Sequence, residues 1–355
     1  MAQPREQWAS RFGFVLAAVG SAVGLGNMWR FSYLTAENGG AAFVLLYLVM
    51  TALIGLPIML AELTVGRGAG RSPIGALAHY GGPRWRALGM LFVASGFLIL
   101  AYYSVIAGWT VRYALIGLLA GFEGDPAARF EAIASGPKAL LWHLLFMGAT
   151  VGVVMGGVRS GIERAAVVLM PVLFAIVVGL AIYAATLPGA GAGYRYYLEL
   201  DFAAIMNLDV LIEAAGQAFF SLSLGMGAIL TYASYLSRDN HLPREGAIIA
   251  GADFGVAFIA GLVVFPLLFA LGLQEEVSGS TLGALFITLP KAFAEMGLAG
   301  RVVGVFFFVA LVVGALTSAI SLLEVVVSSL IDRLDWERHH AAFRLGGAIA
   351  LLGIP

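Results

Sequence analysis

The chain has 355 residues, 61% of them hydrophobic and only 12% charged, with a formal net charge of −1. Soluble domains carry about 45–50% apolar and about 25% charged residues, so no soluble surface can be made from this composition. The near-neutral balance argues against nucleic acid as a partner, and the absence of cysteine excludes disulfides, thiolate metal sites and cysteine nucleophiles.

Runs of about 18 or more apolar residues can cross a bilayer. Read against the charged punctuation, the chain gives nine such segments, at about 10–36, 41–66, 87–119, 139–157, 163–186, 208–236, 244–271, 299–331 and 339–355. The first follows a charged start without a small-residue cleavage site, so it reads as a retained span and not a signal peptide. Its centre, Gly20-Ser-Ala-Val-Gly-Leu-Gly-Asn27, is full of glycine, and each glycine costs a helix interior about 1 kcal/mol relative to alanine. The second segment buries Glu62, the third carries Ala101-Tyr-Tyr103 and the fourth His143. The sixth repeats the composition of the first, at Ser221-Leu-Ser-Leu-Gly-Met-Gly227. Asp253 interrupts the apolar stretch Ile248–Phe258 of the seventh; an acid at a helix centre costs about 2.5–3.5 kcal/mol, so it should be paired or ion-bound. Glu324 lies in the eighth, and the ninth reaches Pro355.

Two interrupted segments separated by five spans predict corresponding broken helices in an inverted repeat, with a midplane site where unwound backbone lines a cavity. The first five-span repeat occupies 1–186 (broken span 10–36) and the second 187–355 (broken span 208–236). The second is incomplete at nine spans, so the chain reads as C-terminally truncated. With a cytoplasmic N-terminus, Arg5, Arg11, Arg67, Arg71, Arg84, Arg86, Arg159, Arg164, Arg238, Arg244, Arg333 and Arg338 fall inside. Only Arg129, Lys138, Arg195, Lys291 and Arg301 fall outside. The positive-inside rule therefore puts the N-terminus in the cytoplasm of a plasma-membrane protein.

Arg5-Glu-Gln-Trp8, Gly24-Leu-Gly-Asn-Met-Trp-Arg-Phe31, Glu37-Asn-Gly-Gly40, Gly161-Ile-Glu-Arg164, Gly216-Gln-Ala-Phe-Phe-Ser-Leu-Ser-Leu-Gly225, Thr231-Tyr-Ala-Ser-Tyr235 and Leu316-Thr-Ser318 stand in order along the chain. This set closely resembles the neurotransmitter:sodium symporters. The resemblance implies an all-α, LeuT-like inverted-repeat bundle with broken helices 1 and 6. It also implies sodium-coupled symport of an amino acid by alternating access.

The resemblance puts a first sodium on the carbonyl of Ala22, the side chains of Asn27 and Ser221, an acid or amide in span seven, where Asp253 stands, and the substrate's own carboxylate. A second lies between the carbonyls of Gly20, Val23 and Gly314 and the hydroxyls of Thr317 and Ser318. Relatives that need chloride carry a serine where this chain has Ala257. Asp253 then supplies that negative charge in fixed form, so no chloride is expected. The amides of Leu25 and Gly26, at the positive end of a half-helix, suit an anionic carboxylate. Tyr103 adds a hydroxyl, and the carbonyls of Phe220 and Ser223 take the ammonium. Ile99, Phe220, Met226, Ser318 and Leu322 line the side-chain pocket, and Met226 adapts to ligands of different shape. Amine carriers have an aspartate where Gly24 stands, so the expected ligands are hydrophobic or aromatic L-amino acids.

By the same resemblance Arg5 pairs with Asp332 at a cytoplasmic gate, with Trp8 and Tyr235 beside it. Arg30 forms an outer gate under a Phe220 lid, needing an acid from a tenth span. Glu62 and Glu324 are expected to form a polar network supporting span one. Ser32 replaces the proline usual after Trp-Arg-Phe. The spacing of His79, His143, His241, His339 and His340 predicts no metal site. There is no arrangement of nucleophile and base and no phosphate loop, so an enzyme is not expected. Two other readings stay open: a proton-coupled carrier on the same fold, and a truncated amino-acid binder or sensor that does not transport.

Overall fold

The computed structural model describes residues 5–273 and 281–354. Its elements, in chain order, are α1 (Arg11–Ala22), a π-helical turn (Gly26–Arg30), α2 (Phe31–Glu37), α3 (Ala41–Met50), a second π turn (Thr51–Gly55) and α4 (Leu56–Ala69). Then come α5 (Pro73–Gly81), α6 (Arg86–Leu119), α7 (Pro126–Ala134), α8 (Gly136–Met155), α9 (Arg164–Ala185), α10 (Ala190–Leu198) and α11 (Phe202–Ile205). The rest are α12 (Leu208–Ser221), α13 (Ala228–Ala233), α14 (Leu242–Ala270), α15 (Thr281–Gly283), α16 (Leu289–Glu295), α17 (Gly297–Leu334) and α18 (Arg338–Leu352), with further short turns at Pro83–Trp85, Val158–Glu163 and Ala284–Thr288. No strand occurs among the described residues.

Six helices are long and apolar enough to cross a membrane among the described residues, and α1 with the helix Gly26–Glu37, bent by 53° at their break, makes a seventh. These seven coincide with seven of the nine expected segments. The sixth segment is divided into helices of 14 and 6 residues by Leu222–Gly227, and α18 has 15 residues, about 22 Å at the helical rise of about 1.5 Å per residue.

Burial explains why the breaks are tolerated. Every residue of α1 from Gly13 to Ala22 is buried, and the helix lies among α9, α14 and α17. Its freed backbone groups therefore face protein and not lipid, where each would cost several kcal/mol. By contrast α9 leaves Val168, Val172, Val178 and Ile182 exposed, as a lipid-facing helix should. α17 packs along α6 in the most extensive helix pairing, α12 lies on α3, α13 on α4, and α18 on α8 and α17.

Close approach needs small residues at two points. A Cβ on Gly20 would sit 3.0 Å from Met170 Sδ and 3.0 Å from Thr317 Cβ, and one on Gly314 would sit 3.4 Å from the Gly24 backbone. These glycines let α1 and α17 touch at the level of the break.

The start of α1 is capped from a distance. Glu163 accepts from the amides of Ala9 (2.6 Å) and Ser10 (3.1 Å) and from the Ser10 hydroxyl (2.8 Å), while Ser10 Oγ accepts from Gly13 N–H (2.9 Å). A carboxylate at this end satisfies orphan amides and opposes the positive pole of the helix.

Candidate substrate and ion site

The first break leaves the amides of Leu25 and Gly26 at the start of a helical turn, where N–H groups have no acceptor within the helix. Gly24 N–H instead donates to Asn27 Oδ1 at 3.0 Å. The second break holds Ser223 at φ 54, an uncommon conformation for a residue with a side chain. Two contacts brace it: Ser223 Oγ donates to the Ser21 carbonyl (3.0 Å) and Gly225 N–H donates to Glu62 (2.8 Å).

Between the breaks lies a small cavity of about 40 Å³. All nine residues expected to hold substrate, Leu25, Gly26, Ile99, Tyr103, Phe220, Ser223, Met226, Ser318 and Leu322, line it. Ala22, Asn27 and Ser221 from the first expected ion set line it too. The Tyr103 hydroxyl is buried without a hydrogen-bond partner of good geometry. It stands beside Gly24 with Ser318: a Cβ there would be 3.1 Å from Tyr103 Oη and 2.7 Å from Ser318 Oγ. The Phe220 ring lies against Gly26, where a Cβ would come within 2.7 Å of it.

Asp253 is fully buried behind this wall. Its carboxylate accepts from Asn27 Nδ2 (2.6 Å), from Ser221 Oγ (2.9 and 2.8 Å) and from Tyr47 Oη (3.0 Å). Asn27 Nδ2 also reaches Ser221 Oγ (2.9 Å) and the Asp253 carbonyl (3.1 Å). The second expected set also converges. Ser318 Oγ lies 3.4 Å from the Gly20 carbonyl and 3.2 Å from that of Val23, and Thr317 Oγ1 lies 3.1 Å from the carbonyl of Gly314. The second cluster offers only oxygens, the donor type that hard cations prefer, whereas in the first Asn27 turns its amide nitrogen to Asp253 and Ser221 and its oxygen to Gly24 N–H.

Closed contacts seal the face that carries the N-terminus. Arg5 donates to Asp332 (2.6 Å) and to Ser234 (2.7 Å), its guanidinium lies 4.7 Å from the Tyr235 ring, and Trp8 Nε1 donates to the Tyr232 carbonyl (2.9 Å). Trp8 and Tyr235 meet edge to face at 6.3 Å. On the opposite side Arg30 hydrogen-bonds Gln217, stacks over Phe220 at 5.2 Å and approaches Glu213 to 4.0 Å. The acid nearest Arg30 among the described residues is thus on α12.

Among the described residues, the hydrogen bonds of Glu62 and Glu324 go to the sixth segment and to Arg338 of α18 and not to span one, which corrects the expected direction of that network. Glu62 holds the break in the sixth segment through Gly225. Glu324 accepts from Tyr235 Oη (2.5 Å) and pairs with Arg338 (2.6 Å) near the Arg5 contacts. Sequence reasoning missed Tyr47 and Gln217. Tyr47 looks like one more aromatic in an apolar run. Gln217 lies within the stretch Gly216–Gly225, and its uncharged amide in a membrane segment is the signal for a role.

A cavity at two helix breaks, flanked by oxygen-rich clusters and sealed on one face, defines a membrane carrier. The profile of the sodium:neurotransmitter symporter family matches residues 5–122 and 133–354, and the chain belongs to that family. It is 39% identical over 358 residues to YhdH, an uncharacterized sodium-dependent transporter of Bacillus subtilis, covering 98% of this chain and 78% of that protein. It is 37% identical over 358 residues to an uncharacterized sodium-dependent transporter of Methanocaldococcus jannaschii, covering 95% and 72%. The crystal structure of MhsT in complex with L-phenylalanine superposes with a TM-score of 0.89 at 48% identity, over 99% of this chain and 80% of that one. The chain is therefore a multi-pass membrane transporter of a sodium-dependent family, with the LeuT-like fold, and not an enzyme.

Proposed function

We propose that this chain carries hydrophobic and aromatic L-amino acids into the cell together with sodium, by alternating access and without a chloride requirement. One observation carries the reading: the buried Asp253 carboxylate is hydrogen-bonded to Asn27 and Ser221, two side chains that also line the cavity. A cation bound there sits against fixed negative charge, so no mobile anion has to complete the site.

The first sodium takes the Ala22 carbonyl, Asn27, Ser221 and the Asp253 carboxylate. The second takes the carbonyls of Gly20, Val23 and Gly314 and the hydroxyls of Thr317 and Ser318. The substrate carboxylate is held by the amides of Leu25 and Gly26 and the hydroxyl of Tyr103. The ammonium lies on the carbonyls of Phe220 and Ser223.

Ile99, Phe220, Met226 and Leu322 leave the side-chain end apolar, with no group to neutralise a charged ligand. Gly24 offers no acid to an amine. MhsT, with L-phenylalanine bound, supports the same ligand class. Arg5 with Asp332, Trp8 and Tyr235 acts as the cytoplasmic gate, and Arg30 with Phe220 as the outer one. The two halves, 1–186 and 187–355, act as inverted repeats around the site, in a plasma membrane with the N-terminus cytoplasmic.

The test is uptake of labelled leucine and phenylalanine into proteoliposomes with an inward sodium gradient. Accumulation that sodium drives and that persists in gluconate supports the proposal. Uptake driven equally by a proton gradient without sodium contradicts it.

A further inference from the structure

α17 and α18 are joined by only three residues, Asp335-Trp336-Glu337, with Asp335 turning the chain at φ 50 and the Arg344 guanidinium over the Trp336 ring at 5.0 Å. This short, braced turn brings three potential metal ligands together. Glu337 Oε2 lies 3.4 Å from His339 Nε2 and 3.6 Å from His340 Nδ1, the imidazole rings are 4.0 Å apart, and one ligand atom from each residue lies within 4.8 Å of the others. Neighbouring residues on a helix do not normally face one another. They converge here because Glu337 stands just ahead of the first turn of α18, which histidine spacing in the sequence does not reveal.

We propose that Glu337, His339 and His340 bind a divalent transition-metal ion such as zinc, with water completing the shell, and that the bound ion restrains the cytoplasmic gate. Zinc holds imidazole and carboxylate donors at about 2.1 Å, which in a tetrahedron sets donors about 3.4 Å apart. The two Glu337 separations, 3.4 and 3.6 Å, fit that spacing. Two imidazoles and one carboxylate are borderline donors that select zinc or its neighbours over sodium or calcium.

Arg338 lies between the ligands in sequence but points to the protein. It pairs with the buried Glu324 at 2.6 Å and with Glu6 at 2.9 Å, and Glu6 also accepts from Val158 N–H at 2.6 Å. Its charge is thus engaged away from the ligand side. An ion fixing residues 337 and 339–340 fixes Arg338 between them, and with it contacts that must part when this face opens. The gating half of the inference rests on the proposed transport function; the binding half does not.

Zinc binding is measured by titration calorimetry on the detergent-purified full chain, comparing wild type with His339→Ala/His340→Ala and with Glu337→Gln. Loss of an outer-sphere partner alone costs about 10–100-fold in metal affinity, so removing two ligands should cost about 100-fold or more. Glu337→Gln should fall between. All three residues are exposed, so the variants should fold, as retained amino-acid binding would show. Equal zinc affinity in wild type and the double variant overturns the site. In proteoliposomes, zinc on the N-terminal face should slow sodium-driven leucine uptake by wild type and not by the double variant. Unslowed wild-type uptake with zinc bound overturns the coupling to the gate. Absence of uptake without zinc contradicts the transport reading instead, while the titration still decides the site.

Discussion

Asn27 Nδ2 donates to Asp253 Oδ1 at 2.6 Å, tying the unwound centre of the first span to the middle of α14. The same amide reaches Ser221 at the break in the sixth segment. Movement of either broken helix is therefore felt at one carboxylate. Hydrogen bonds to a charged group contribute about 1.5–3 kcal/mol each. An ion bound between these groups would change the balance among three helices.

Asp253→Asn keeps the shape of this cluster and removes its charge. Sodium affinity should fall by tenfold or more, the equivalent of about 1.4 kcal/mol. Chloride should partly restore it, because a mobile anion can then supply the missing charge. Sodium titrations of substrate binding in chloride and in gluconate check this. Unchanged sodium affinity in gluconate counts against a charge-supplying role for Asp253.

Tyr47→Phe removes one of three side-chain donors to Asp253, at 3.0 Å, without touching the cavity wall. Loss of a hydrogen bond to a buried charged group costs about 1.5–3 kcal/mol. Sodium dependence should shift to higher concentration, with ligand selectivity unchanged. The check is a sodium titration at fixed ligand followed by a competition series of amino acids.

Gly24→Asp should abolish amino-acid binding and leave the fold intact. A Cβ alone would stand 2.7 Å from Ser318 Oγ and 3.1 Å from Tyr103 Oη, and the added carboxylate would repel that of the substrate. Competition by amines such as dopamine should improve relative to leucine in radioligand displacement. A variant that still binds leucine as wild type does would show that the carboxylate is held elsewhere.

Arg5→Ala removes the donor to Asp332 and Ser234 and the cation above Tyr235. The cytoplasmic face should open more often. The chain lacks cysteine, so one cysteine at Ser321, buried on α17 against Ser21 of α1, reports opening without interference. Alkylation from the cytoplasmic side should be faster in Arg5→Ala, by about tenfold if the lost contacts are worth about 1.4 kcal/mol. Equal rates would remove Arg5 from the gate.

How much of this was legible in the sequence varied with the kind of interaction. The helical spans follow from apolar run length, and both breaks follow from glycine and serine clusters, because backbone cost is local. The residues around the cavity were reached through ordered motifs, and all nine line one space. Partners distant in sequence were harder. Nothing local says that Glu163 reaches the amides of Ala9 and Ser10, that Glu62 braces Gly225, or that Glu324 meets Arg338. Each joins helices whose relative placement the pattern of apolar residues does not encode. Intramembrane acids announce that they need partners, not which ones.

The central claim is that amino-acid binding is coupled to sodium through Asp253, with no anion needed. Its most direct test is equilibrium binding of labelled leucine to the purified chain in sodium or potassium, with chloride or gluconate, for wild type and Asp253→Ala. Wild-type binding should require sodium, ignore chloride and collapse in the variant. Binding that persists in potassium, or that is the same in Asp253→Ala, would contradict it.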